Sequence, residues 1–171
     1  MLSPRSVDTK TDRDVLLEFH CRINYESECA WGRSNPYEQY REKWFSTSQP
    51  ESYLKDLVES MKDERTIAEI WEDGNSVVAY LWVTFTNMPD YDISIAEIND
   101  IAVSPDFQRR GIALKLMVYI EQQALERGAN LLRSGTGFEN VASQGLHAKS
   151  GFQTYSIRYE KLLSPSNIES R

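Results

Sequence analysis

The hydrophobic pattern of the chain changes period once, at Thr66. Before it, apolar residues recur at helical spacing; after it, they alternate or run together as strands do. Val15, Leu16, Phe19 and Ile23 form an i, i+1, i+4, i+8 stripe, which predicts a helix capped by Thr11 or Asp12. Pro36 suits a first helical turn and opens a segment with Tyr37, Tyr40 and Trp44 on one side. A third helix is predicted from Glu51 to Met61, with Leu54, Leu57, Val58 and Met61 inward.

Thr66 to Trp71 and Ser76 to Thr86 are rich in β-branched and aromatic residues and are joined by Glu72-Asp73-Gly74-Asn75. That is a hairpin signal. A loop at Asn87 to Asp90 leads into a long strand from Ile93 to Val103, giving three antiparallel strands in a row. Gly111 to Arg127 is helical, with Ala113, Leu116, Met117, Ile120 and Ala124 on one face and Gly128 as its stop. Ala129 to Thr136 reads as a strand reached through that helical crossover, hence parallel to its predecessor. Val141 to Lys149 is a further helix, and Phe152 to Leu163 a last extended segment of one strand or two. The expected fold class is therefore α/β: a mixed, mostly antiparallel sheet with a parallel strand pair, flanked by helices.

Length and charge narrow the field. A chain of 171 residues without repeats or linkers is expected to be one domain, with a helical region at 1–65, a sheet core at 66–163 and a polar tail at 164–171. No apolar run approaches the roughly 18 residues that span a bilayer, and Met1 to Arg13 offers no secretory signal. The cytoplasm is the expected compartment. Cys21 and Cys29 then read as reduced thiols, with no metal site around them. The formal charge of −7 disfavours nucleic acid as a partner and suits a cationic one. Monomer and homodimer are both open.

The chemistry concentrates in Ile101-Ala102-Val103-Ser104-Pro105-Asp106-Phe107-Gln108-Arg109-Arg110-Gly111-Ile112-Ala113. A strand ends, a basic loop with one glycine follows, and a helix opens. Helix N-termini offer free N–H groups and the positive end of the dipole, so such a junction binds phosphate. Gly111 lets the backbone approach an anion, while Arg109 and Arg110 can add charge. No Gly-Lys-Ser/Thr follows, so this is not a Walker loop.

In this segment the chain resembles the GNAT superfamily of N-acetyltransferases, whose cofactor signature is Gln/Arg-x-x-Gly-x-Gly/Ala. Gln108-Arg109-Arg110-Gly111-Ile112-Ala113 matches it position by position. A second match, Asn140 to Phe152, is similar to the family's Asn-x-x-Ala/Ser…Leu-Tyr-x-x-x-Gly-Phe helix. The resemblance covers Ile67 to Leu163. It implies that the amides of Arg109 to Ala113 cradle the diphosphate of acetyl-CoA. It also implies that backbone groups of Ile101, Ala102 and Val103 pair with the pantetheine arm, and that Asn140 approaches the cofactor. Asn140 is equally suited to capping its helix.

Acetyl transfer to an amine needs a base, because a lysine-like amine titrates near 10.4 and must lose a proton before it attacks. Glu97, an acidic residue inside a strand, is the candidate base, at a position where family members carry a catalytic Glu. Strand alternation predicts that Glu97, Asn99 and Ile101 share one face and that Asp100 points to the other, unless a bulge intervenes. His147 stands where the family has a Tyr that protonates the leaving thiolate. Imidazole can do the same, or be a helix residue without chemical duty. Tyr155 and Tyr159 are fallback donors, and His20 reads as structural. Tyr25, Trp31, Tyr37, Tyr40 and Trp44, interleaved with Glu26, Glu28, Glu38 and Glu42, form either a wall for a cationic acceptor or a helical hairpin with aromatics inward. The expected activity is transfer of acetyl from acetyl-CoA to a primary amine. A protein N-terminus or lysine as acceptor, and a non-catalytic acyl-CoA-binding module, are the alternatives.

Overall fold

The computed structural model describes residues 1–27, 32, 34–161 and 163. Cys29, Glu28, Trp31 and the tail from 164 onward, all read above, lie outside the described residues. Three helices open the chain after a short strand: β1 (Leu2–Ser6), α1 (Arg13–Ser27), α2 (Tyr37–Phe45) and α3 (Gln49–Ser60). Then come β2 (Ile67–Asp73), β3 (Ser76–Met88), β4 (Ile93–Val103), α4 (Ile112–Glu126), β5 (Leu131–Ser134) and α5 (Val141–Lys149). The sheet order is β1-β2-β3-β4-β5. Every neighbouring pair is antiparallel except β4 and β5, which are parallel as the crossover through α4 requires.

Each sheet face buries its own core. Leu81, Val83, Ala96 and Ile98 meet Leu116, Met117, Ile120 and Ala124 of α4 on one side. Ile70 and Tyr80 meet Leu16, Leu17, Cys21, Trp44, Tyr53 and Leu57 of α1 to α3 on the other. The aromatics of the first third split accordingly: Trp44 is buried in that second core, with Tyr37 and Tyr40 half-buried against it. Burial pushes the Cys21 thiol up to about 11, so it stays protonated and inert.

Four local readings are corrected. β1 went unread, because a polar edge strand with Pro4 in it carries no hydrophobic alternation. In α3 the buried stripe is Pro50, Tyr53, Leu54 and Leu57; Val58 and Met61, expected inward, are 47% and 38% exposed, because the helix turns the Pro50–Leu57 stripe, and not theirs, to the sheet. Asp12 starts α1 with its carbonyl, which accepts the Leu16 amide. Its carboxylate does not cap the helix: it accepts two hydrogen bonds from Arg5, at 2.7 and 2.8 Å, and one from the Asp8 amide. Finally, the described part of Phe152–Leu163 joins no ladder, so β5 is the edge strand on that side. Tyr155, Ile157 and Tyr159 are exposed there, and Arg133 lies over the Tyr155 ring.

Candidate active site

β4 and β5 are joined over four residue pairs, from Ile95↔Leu131 to Ile98↔Ser134. Then they part. β4 continues to Val103 along β3, while β5 ends at Ser134 and its chain turns towards α5. The gap is a cleft of about 130 Å³. Asn99 and Ile101 line it from β4, Ser134, Gly135 and Thr136 from the end of β5, Asn140, Ser143, Leu146 and His147 from α5, and Ile23, Glu26 and Ser27 from α1. The residue after Thr136 is Gly137. A Cβ there would sit 2.8 Å from the Ser27 carbonyl oxygen, so only glycine lets this loop close on the C-terminus of α1.

The β4 wall leads straight into the basic loop. The Ser104 amide bonds the Val78 carbonyl of β3, so by two-residue alternation the amides and carbonyls of Ile101 and Val103 face the other way, along the gap. The Val103 carbonyl accepts a 3.1 Å bond from Gln108 Nε2, which braces the loop against the strand. Arg109 and Gly111 both have positive φ, 60° and 75°. These two left-handed residues turn the chain so that α4 begins at Ile112, presenting its first-turn amides outward. Apart from Gly111 itself and its chain neighbours, no atom of the described residues lies within 4 Å of where a Gly111 Cβ would be, so the space above the loop is open. Arg110 is not a free charge: its guanidinium donates to the Asp106 carbonyl and covers Phe107.

Asn140 caps α5, its Oδ1 accepting the Ser143 amide at 3.0 Å, and it also borders the cleft. His147 is tightly held. Its Nδ1 lies 2.7 Å from the Ser143 carbonyl oxygen and its Nε2 2.8 Å from Ser134 Oγ. A carbonyl only accepts, so Nδ1 carries a proton, and in the neutral ring Nε2 accepts from the Ser134 hydroxyl. Phe152 packs edge-on against the imidazole. Ser134 therefore stands between His147 and the end of the β4–β5 ladder, a partner that sequence reasoning missed for want of any motif around it.

Glu97 is placed differently from expectation. Trp82 pairs with Asp100, but the next residue, Val83, pairs with Ile98. Asn99 is thus the extra residue of a bulge, which shifts the alternation by one. Glu97, opposite Thr84, and Asp100, opposite Trp82, both face α1 to α3, while Ile98 and Ile101 pack towards α4. The bulge that the strand reading allowed for is present, so Glu97 and Ile101 do not share a face and Asp100 lies on the side of Glu97. Glu97 is half-buried and does not border the cleft; among the described residues the carboxylate that does is Glu26.

Asp100 is 2% exposed and bonded to His20 of α1, with Nδ1 to Oδ2 at 2.8 Å. The His20 ring stacks on Tyr53 at 3.8 Å, and Tyr53 donates to the hydroxyl of Tyr80. Burial, with the Asp100 carboxylate nearby, pushes both phenols far up. They stay neutral.

The sequence profile of the Acetyltransferase (GNAT) family matches residues 30–152. The chain belongs to the GNAT acetyltransferase family. An uncharacterised N-acetyltransferase of Methanocaldococcus jannaschii is 26% identical over 145 residues, covering 85% of this chain. The match spans only 58% of that relative's length. The fold agrees with family members of solved structure. A GCN5-related N-acetyltransferase from Ralstonia eutropha superimposes with a TM-score of 0.69 at 16% identity, over 95% of this chain and 99% of its own. The aminoglycoside acetyltransferase AAC(6')-Iy, solved with the bisubstrate analogue CoA-S-monomethyl-acetylneamine, gives 0.61 at 18% identity, over 95% and 99%. At such identities the likeness speaks to the fold.

Proposed function

We propose that the chain is an N-acetyltransferase that moves acetyl from acetyl-CoA to the primary amine of a small molecule, by direct attack within a ternary complex. One observation carries the reading: the parallel pair splits at Ile98↔Ser134, so that outward-facing main-chain groups of β4 run into an open, left-handed loop at a helix N-terminus. That arrangement fits an elongated ligand with a thioester at one end and a diphosphate at the other. The amides of residues 109–113 would hold the diphosphate. Ile101 and Val103 would pair with the pantetheine amides as a further strand does; Ala102, between them, would set their register. Asn140 would border the thioester end.

Bound acetyl-CoA would supply an activated acetyl group. The chain's part is to orient it, to draw in the amine, and to manage two protons. The overall charge of −7, with Glu97 and Glu26 on the acceptor side, favours a cationic amine. The analogue bound to AAC(6')-Iy joins CoA to an amine-bearing small molecule, which supports the same acceptor class here. On the sulfur side, a charged His147 would donate from Nε2 to Ser134 Oγ, freeing the Ser134 proton for the leaving thiolate.

The test pairs titration calorimetry with CoA and a thiol-release assay, with acetyl-CoA offered alongside polyamines, aminosugars, arylalkylamines and lysine peptides. Uptake of CoA with acceptor-dependent thiol release from a small amine is expected. Release from peptides alone would move the acceptor to proteins. Uptake without release from any would make the chain an acyl-CoA-binding module.

A further inference from the structure

We propose that His20, held by Asp100, takes the proton of the incoming amine, and that Glu97 only draws the cation to the site. The inference rests on the acetyltransferase reading and names the base for that reaction.

Three observations carry it. The first is the pair itself. Asp100 Oδ2 can only accept, so His20 Nδ1 is the donor and the neutral ring keeps its lone pair on Nε2. Nε2 has no hydrogen-bond partner among the described residues, and the side chain is 17% exposed. The second is the cost of the arrangement. A carboxylate 2% exposed is expensive unless paired, and the bulge at Asn99 is what turns it towards α1. Without the extra residue, Asp100 would face α4 and His20 would have no carboxylate.

The third is location. Asn99 and Ile101, on either side of Asp100, line the cleft. So do Ile23 and Ser27, three and seven residues after His20 and on the same side of α1. The pair thus sits next to cleft-lining residues on both of its elements, although His20 and Asp100, like Glu97, are not themselves part of the lining. What distinguishes His20 from Glu97 is the buried carboxylate bonded to its ring.

Among the described residues, the titratable groups that contact His20 are Asp100 from β4, Tyr53 from α3 and, through Tyr53, Tyr80 from β3. α2 presents the Trp44 indole. Both phenols stay neutral, and among the described residues the charge bonded to the ring is Asp100. An alkylammonium acceptor gives one proton to Nε2, and the imidazolium so formed is balanced by Asp100. The freed lone pair attacks the acetyl carbonyl, the C–N bond forms and the C–S bond breaks. The second amine proton leaves as the amide forms, the thiolate takes one proton, and His20 returns the first to solvent. The tilted and stacked rings of Trp44 and Tyr53 fix the imidazole plane, so Asp100 and these rings act as positioning groups.

The chain contains two histidines, so long-range proton–nitrogen spectra of the full protein resolve both rings. Wild-type His20 is expected as the Nδ1-protonated tautomer, and Asp100→Asn should mix the tautomers. A wild-type ring protonated on Nε2 when neutral overturns the proposal. Kinetics use the amine that releases thiol fastest among spermidine, glucosamine, tyramine and a lysine peptide. His20→Asn should lower kcat about 100-fold, leave KM for acetyl-CoA within twofold, and abolish the acid limb of the pH–rate profile. Added imidazole should restore turnover to His20→Gly. Glu97→Gln should raise KM for the amine and keep the limb. If instead Glu97→Gln removes the limb while His20→Asn retains it, the base is Glu97. If the wild-type chain acetylates no amine, the acetyltransferase reading itself falls.

Discussion

On the α4 side of the sheet the candidate cofactor site is built almost wholly from main chain: strand amides at Ile101 and Val103, a left-handed loop at Arg109 to Gly111, and a helix N-terminus. On the α1–α3 side the proposed acceptor site draws on side chains: Glu26 and Glu97, and the bonded pair His20 and Asp100, carried by one helix and one strand. A main-chain site constrains sequence locally, because a given turn needs a given residue at a given spacing. A side-chain site constrains it only where two distant segments happen to meet. The first kind leaves a contiguous fingerprint; the second does not.

Core truncations on the two faces give the largest expected effects and sharpen this contrast. Leu116 and Leu57 are both fully buried, one on each face. Leu116→Ala and Leu57→Ala should each cost about 3 kcal/mol in urea unfolding. Only Leu116→Ala, which loosens α4 where it leads back to the loop, should also weaken CoA binding. Equal CoA affinities in the two variants would mean that the loop is held independently of the α4 core.

Next in size is Gly111→Glu. It puts a carboxylate at the expected diphosphate position and a side chain at φ 75°, where an L-residue is strained by about 1 kcal/mol. CoA affinity should fall at least about 100-fold, roughly 2.7 kcal/mol, with the far-ultraviolet spectrum unchanged. Near-normal calorimetric affinity would separate the loop from the cofactor.

The same contrast explains what could be read beforehand. The β2–β3 hairpin, the parallel β5 and the α4 stripe came from period, turn residues and crossover handedness, all of them local rules. The loop at Gln108 to Ala113 was legible because its glycine, its charges and the following helix are contiguous. Three features were not. The bulge, allowed for in the strand reading, could not be placed at Asn99, because Ile98-Asn99-Asp100 carries no marker of its own. The partner of His147 is a serine whose relevance arises only where β5 ends. His20 read as structural because its meaning depends on Asp100, 80 residues away.

The β1–α1 junction tests how firmly the acceptor side is anchored. Arg5 of the edge strand holds Asp12 with two bonds and reaches Glu72 as well. The Arg5 guanidinium lowers the Asp12 carboxyl below its usual range. A depressed carboxylate contributes its stability above its unfolded pKa, near 3.9, and loses it as pH falls through the folded value. Asp12→Asn should therefore cost about 2 kcal/mol at neutral pH, and the gap to wild type should narrow below about pH 4. CoA affinity should not change, because the loop lies on the other face. A gap that stays constant down to pH 2 would mean that the ion pair does not form in solution.

The smallest expected effect concerns the one place where the two sides meet, the end of the β4–β5 ladder. His147 is braced by a carbonyl on Nδ1 and by Ser134 on Nε2, so in the proposed relay its Nε2 proton moves through the Ser134 hydroxyl. CoA is a tolerable leaving group, because a free thiol titrates near 8.5, and protonating it is worth less than deprotonating the amine. His147→Phe and Ser134→Ala should each lower kcat about tenfold, roughly 1.4 kcal/mol, and the double variant should lower it no further, because one relay is broken either way. Additive losses would show that the two groups act separately. Replacing CoA by a thioester with a more acidic thiol should erase the defect of both single variants while leaving that of His20→Asn intact, since that residue acts on the amine and not on the sulfur.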